Sequence, residues 1–221
     1  RSALSSSSAA SDVYKRQGWR AVADRVHEEG GTLFMQIMHG GRTSHPDLID
    51  GANPEAPSAF DWGGTVRGFA GKMDAPVPRE LKKEELPRIV DEFRQGARRA
   101  IDAGVDGVEI HGANGYLLHE FMAPSANKRE DEFGGSPENR WRLPEMVIRA
   151  VVEEIGADRV GVRFSPAHNV QGVIEDDQED MLATYGGLLD ALAPLNLAYV
   201  SLLHGEPDLS LIHISEPTRP Y

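Results

Sequence analysis

The run His111-Gly112-Ala113-Asn114-Gly115-Tyr116 gathers an imidazole, a carboxamide and a phenol on one short stretch of chain. His111 and Asn114, three residues apart on a turn, can donate two hydrogen bonds to a single carbonyl oxygen and draw charge onto it. Tyr116, with an ordinary phenol pKa of about 10, is protonated at pH 7 and can give a proton to a reacting centre. The same polar groups can instead do no more than cap their own loop. Spacing alone leaves both readings open, so the elements that position the run matter.

The run follows directly on residues 105–110 (VDGVEI), an apolar stretch of strand length. Three more such stretches occur, at 32–38 (TLFMQIM), 160–164 (VGVRF) and 197–202 (LAYVSL). Between them the apolar spacing turns helical. Trp19, Val22, Ala23 and Val26 predict a helix stopped by Gly30-Gly31. Leu86, Ile89, Val90, Phe93, Ala97 and Ile101 predict a helix over 83–103, with Pro87 tolerable in its first turn. Ser136 and Pro137 form an N-cap and first-position pair for a helix reaching Ile155, with Leu143, Val147, Val151 and Ile155 inward. A last helix over 178–192 would turn Leu182, Tyr185, Leu189 and Leu192 inward.

Strands that alternate with helices and lack hairpins between them predict a parallel sheet with helical crossovers. Four such units make half of an eight-stranded (β/α) barrel, and the expected fold is α/β, a partial TIM barrel of about four central units. A short doubly wound sheet is the alternative, although no Gly-rich phosphate loop follows any strand. Residues 39–82 form a Gly- and Pro-rich connection long enough to be functional or to carry a small hairpin. Residues 111–135 read as a second long connection.

Strand side chains alternate between faces. Val108 and Ile110 share one face and Glu109 and His111 the other; Leu33, Met35 and Ile37 oppose Gln36; Val160 and Val162 oppose Arg163. Gln36, His111 and Arg163 thus each stand near the C-terminal end of a strand, on the face away from the helices, where (β/α) enzymes carry their chemistry. A guanidinium there requires an anionic or carbonyl partner, and a salt bridge from Arg163 to Glu109 is the structural alternative. Gln36 can likewise be a satisfied core amide.

Composition excludes several other functions. A formal charge of -12 disfavours a nucleic-acid backbone or an anionic membrane as partner, and no apolar run is long enough to span a bilayer. The chain holds no cysteine, which removes disulfides and thiolate metal sites and fits a cytoplasmic setting without a signal peptide. His39 and His45, six apart, match no zinc spacing, so no metal is expected. The acidic run 175–180 lacks the ligand pattern of a calcium loop and reads as a helix N-terminus. None of the four strands ends on a lysine, as a Schiff-base aldolase or lyase would require.

Both ends of the chain look foreign to this pattern. Residues 7–17 (SSAASDVYKRQ) and 209–219 (LSLIHISEPTR) resemble translated sequencing adapters, so residues 1–17 and 209–221 are read as non-native tails around a barrel segment at 18–208.

Residues 107–142 (GVEIHGANGYLLHEFMAPSANKREDEFGGSPENRWR) closely resemble the central signature of the Old Yellow Enzyme family of flavin-dependent reductases. Residues 35–59 resemble that family's third strand and following loop, and residues 159–166 (RVGVRFSP) its fifth strand. The resemblance implies a TIM barrel that binds FMN, takes electrons from NADPH or NADH, and passes hydride to an activated alkene such as an enone, or to a nitro compound. It implies that His111 and Asn114 hold the substrate's oxygen and that Tyr116 protonates the α-carbon. It further implies that Gln36 and Arg163 contact the pyrimidine side of the flavin ring. Met38 stands where many members carry tryptophan, which bears on substrate shape. In the family the first two strands precede the matched segment. The last two, which supply most of the phosphate site, follow it. A segment of this extent could also be a partial barrel without activity of its own.

Overall fold

A computed structural model describes the backbone of residues 6–203 and the side chains of residues 16–203. The stretch 209–219 lies outside the described residues. The elements run α1 (Ser6–Glu28), β1 (Phe34–Ile37), β2 (Glu55–Ala56), β3 (Thr65–Gly68), β4 (Gly71–Asp74), β5 (Arg79–Glu80), α2 (Leu86–Asp102), β6 (Gly107–Gly112), α3 (Leu117–Met122), α4 (Pro137–Ile155), β7 (Val160–Phe164), α5 (Gln178–Leu192) and β8 (Tyr199–Leu202).

The main sheet is parallel throughout, in the order β1-β6-β7-β8. Each neighbour in space is also the next main strand in sequence, so the order never reverses as it does in a doubly wound sheet. The crossover helices touch in the same sequence, α2 against α4 and α4 against α5. They therefore lie on one face of the sheet and leave the other face to an interior, which is barrel geometry. Among the described residues β1 and β8 each have a strand neighbour on one side only.

The core fills the space between sheet and helices. Val108 and Ile110 from β6, with Val160, Val162 and Phe164 from β7, are all buried. Leu86, Ile89, Phe93, Ala97 and Ala100 come to meet them from α2, and Leu143, Val147 and Val151 from α4. The apolar spacing therefore located these helices well. In α5 the buried stripe is Met181, Tyr185, Leu188 and Leu192; Leu182 and Leu189 are only partly buried, a one-residue turn of the expected face. Either stripe suits helical spacing, and only the direction of the sheet selects between them. The first helix starts earlier than expected and runs through Gly18; Trp19 and Val22 on it are exposed while Ala23 is buried.

Other local signals act as their chemistry predicts. Ser136 caps α4 by accepting from the Asn139 amide, with Pro137 at the first turn. The connection after β1 carries the hairpin β3–β4 and a two-residue parallel pair, β2 with β5. Two corrections concern the region of the His111 run. β6 reaches Gly112, so His111 and Gly112 belong to the strand and the turn proper begins at Ala113. Residues 117–122, read as loop, form the short helix α3, in which every side chain is buried. Burial by its neighbours stabilises a helix that is too short to form in isolation.

Candidate active site

The interior face of the sheet carries the polar residues that alternation assigned to it. Strand pairing sets Gln36 beside Glu109 and Glu109 beside Gly161, with Tyr199 next across. Two residues nearer the strand ends, His111 pairs with Arg163 and Arg163 with Ser201. Glycine in the lower row is required by packing: a Cβ on Gly161 would collide with the Tyr199 ring. The ring of Tyr199 also packs 5.6 Å from that of Phe34, across the glycines of the middle strands.

The two structural alternatives then part, for the Gln36 amide finds a partner within the sheet while the Arg163–Glu109 salt bridge does not form. Gln36 donates from Nε2 to Glu109 Oε1 (2.6 Å). Arg163 does not bridge to Glu109; it donates to Ser201 Oγ at 3.1 Å. Burial and the Glu109 carboxylate push the Tyr199 phenol up to about 12. Strand register explains the outcome, since Ser201 is in line with Arg163 whereas Glu109 sits two residues below it.

His111 is buried, and its Nδ1 accepts from the Ala113 amide at 3.2 Å. The proton of the neutral ring is therefore on Nε2. Burial lowers the imidazole pKa, and the nearby Arg163 lowers it further. A neutral donor results. The edge of this ring meets the Tyr116 ring at 5.0 Å between centroids.

Apart from that bond from the Ala113 amide to His111 Nδ1, the turn is held by residues other than the three that could do chemistry. Asn114 adopts a left-handed φ of 56°, and its amide donates to Ser165 Oγ at 2.8 Å. Its carbonyl accepts from Gln171 Nε2 at 2.7 Å. Gly115, at φ 76°, donates to His119 Nδ1 at 3.0 Å. A Cβ at Gly115 would lie 2.8 Å from Gln171 Cβ, so glycine is needed for space as well as for conformation. Among the described residues nothing hydrogen-bonds the Asn114 carboxamide or the Tyr116 hydroxyl, and Asn114 Oδ1 is buried without a partner. The loop is capped from outside, which leaves its own donors uncommitted.

A buried acid anchors the turn after β1 to α3. Glu120 accepts from the Arg42 amide at 2.9 Å, and burial pushes its carboxyl up to about 8 despite Arg42 beside it. Arg42, 1% exposed, lies over the rings of Phe60 (5.6 Å) and Trp62 (5.1 Å) and donates to the Gln171 carbonyl at 3.2 Å. The loops after β1 and β7 thereby close on the Asn114 turn together.

Sequence reasoning passed over Ser165, His119, Glu120, Gln171 and Glu175. Ser165 shares strand parity with Arg163 and could have been found that way. His119 and Glu120 are polar residues inside an apolar run, a signal of a satisfied buried site. Glu175 was hidden in an acidic run that reads as a helix start. Asp177 does cap α5, accepting from Glu179 and Asp180 amides, but Glu175 is buried away from it. No cluster of metal-binding side chains occurs among the described residues. A cleft of about 240 Å³ lined by Ile37, Met38, His39, Glu92, Phe93 and Gly96 opens between β1 and α2 and holds none of the site residues. None of the described helices is long and apolar enough to cross a membrane.

Comparison with known proteins bears on this arrangement directly. Residues 8–207 match the model of the NADH:flavin oxidoreductase / NADH oxidase family. A putative 12-oxophytodienoate reductase-like protein 2A of Arabidopsis thaliana is 50% identical over 151 residues, covering 68% of this chain and 55% of the relative. A probable flavin mononucleotide-dependent alkene reductase of Leishmania infantum is 41% identical over 195 residues, covering 86% of this chain and 53% of the relative. Among solved structures, an old yellow enzyme homologue from Zymomonas mobilis superposes with a TM-score of 0.82 at 36% identity, over 93% of this chain and 56% of that one. The chain spans about half the length of the curated relatives it matches. With the signature run at the ends of parallel strands and the family match along nearly all of its length, the chain belongs to the NADH:flavin oxidoreductase / NADH oxidase family, which includes the Old Yellow Enzyme-like proteins.

Proposed function

We propose that the protein is an FMN-dependent reductase of activated alkenes or nitro compounds that draws electrons from NADH or NADPH. His111, Asn114 and Tyr116 act on the substrate in this reading, and Gln36 and Arg163 on the flavin. The single observation that carries it is the row His111, Arg163 and Ser201 across three parallel strand ends, with Tyr116 edge-on to His111. The name of the Leishmania relative, an FMN-dependent alkene reductase, supports the same substrate class. A cytoplasmic setting and small-molecule substrates are part of the proposal.

The donor set suits a flavin. Arg163 has one partner among the described residues, Ser201, and so keeps guanidinium N–H groups for an electron-rich carbonyl edge. Gln36 has its amide nitrogen committed to Glu109, which leaves its carbonyl oxygen for an N–H. Bound FMN supplies hydride transfer, which no side chain can perform. The neutral His111 donates from Nε2 to the substrate's carbonyl or nitro oxygen, and the Asn114 carboxamide donates beside it. Both interactions strengthen as negative charge gathers on that oxygen. Tyr116 gives its phenolic proton to the α-carbon. Met38, exposed just beyond the end of β1, stands at the position that the family resemblance ties to substrate shape.

Exchange of Tyr116→Phe in the full-length, FMN-loaded protein tests the assignment. Alkene reduction should slow by roughly 10²–10⁴-fold, the usual worth of a positioned general acid. Flavin reduction by NADPH should be spared. Equal slowing of the two half-reactions would contradict the role given to Tyr116.

A further inference from the structure

Behind the turn that carries Tyr116 lies a second group of polar side chains, unused by the chemistry above. His119 from α3, Glu175 from the connection after β7, and Tyr185 from α5 are 0%, 7% and 1% exposed. The Gly115 amide donates to His119 Nδ1 at 3.0 Å. A backbone N–H can only donate, so Nδ1 has to present its lone pair and the ring proton belongs on Nε2. That Nε2 lies 3.3 Å from Glu175 Oε2, within ion-pair reach though off the line of a hydrogen bond. The Glu175 carboxylate is fixed in turn by the Tyr185 hydroxyl, at 3.1 and 3.2 Å from its two oxygens, and by the Ala167 amide at 3.0 Å. Burial pushes the Tyr185 phenol well up, and Glu175 adds to this, so the hydroxyl stays a donor.

The other tautomer of His119 would set N–H against N–H at Gly115 and leave a buried amide unpaired. Gly115, at φ 76°, takes the left-handed conformation readily, but Asn114 beside it, at φ 56°, holds it only where the surroundings fix it. Tyr116 is the next residue, and its carbonyl accepts from Glu120 at the start of α3. Loss of the Gly115 contact therefore frees the backbone from which the phenol projects.

We propose that Glu175, held by Tyr185, selects the Nε2–H tautomer of His119, and that these three are positioning residues for Tyr116 through the Gly115 amide. The proposal rests on the reading of Tyr116 as the proton donor.

Its test uses the full-length, FMN-loaded protein carrying Glu175→Gln. Nitrogen-15 NMR of labelled histidine should show the Nε2–H form of His119 giving way to a mixture, and hydrogen exchange at the Gly115 amide should quicken. Alkene reduction should fall by roughly 10–100-fold, the usual range for a residue that orients another, with flavin reduction unchanged. His119→Asn offers a carboxamide oxygen where Nδ1 stands and has no tautomer to select. In that background Glu175→Gln should add no further loss in alkene reduction. Should Glu175→Gln fail to fold, Tyr185→Phe removes one donor to Glu175 and should give the same NMR and exchange changes in weaker form. An unchanged tautomer and unchanged Gly115 exchange in the folded variant overturn the proposal. If Tyr116→Phe leaves alkene reduction intact, the reading of Tyr116 fails instead, while the NMR and exchange results still judge the His119–Glu175 link.

Discussion

At the scale of single residues, the site separates groups that hold from groups left uncommitted. His111 uses Nδ1 locally and keeps Nε2, Asn114 keeps its carboxamide, and Tyr116 keeps its hydroxyl. Glu120 belongs with the groups that hold, and it has a pH signature. Its carboxyl is raised from 4.5 to about 8 by burial. Between those values the folded state keeps a proton that the unfolded chain has lost, so stability falls as pH rises through the window and levels off above about 8. The slope approaches about 1.4 kcal/mol per pH unit at most. Glu120→Gln, which cannot titrate, should flatten that fall. Urea unfolding of the two proteins at pH 6, 7.5 and 9 measures it; parallel curves would refute the assignment.

At the scale of elements, the long connection after β1 is not loose covering. Its two-residue strand β2 places Glu55 within reach of His39 Nε2 (3.6 Å) and of two guanidiniums, Arg79 from β5 and Arg88 from α2. His39 and those arginines hold the Glu55 carboxyl at about 2 against the opposing effect of burial. A depressed carboxylate stabilises the fold above its unfolded value of 4.5, and the stability is lost as pH falls toward 2. Glu55→Gln should therefore cost about 1–2 kcal/mol at pH 7 and little at pH 2, allowing for solvent near the pair. Acid titration followed by circular dichroism checks it: a variant as stable as the wild type at pH 7 would show that the connection is anchored elsewhere. The hairpin β3–β4 lies within this same connection, which Glu55 ties to β5 and α2.

At the scale of the whole molecule, the four parallel strands among the described residues, with helices on one face, make an arc. Among the described residues both edge strands have an unpaired side. Closure matters to a flavin because its ring needs contacts from several strands and its phosphate needs a backbone cradle. The 221-residue chain expressed by itself is accordingly expected to bind FMN weakly or not at all. Absorbance of the purified chain after incubation with FMN and gel filtration decides this, and a yellow protein with stoichiometric flavin would overturn it.

Much of this was legible in the residues. Helical and alternating apolar spacing located β6, β7, α2, α4 and α5, because burial of one face repeats with the period of the element. Strand parity set Gln36, His111 and Arg163 on one face, since alternation is a property of the strand itself. What the chain could not reveal locally was pairing across strands. Register decided that Arg163 meets Ser201 and Gln36 meets Glu109, and contacts between distant loops decided that Ser165, Gln171 and His119 cap the Asn114 turn. Residue types and periods are written along the chain; the partner of a buried polar group is fixed only when segments far apart in sequence are brought within hydrogen-bond distance.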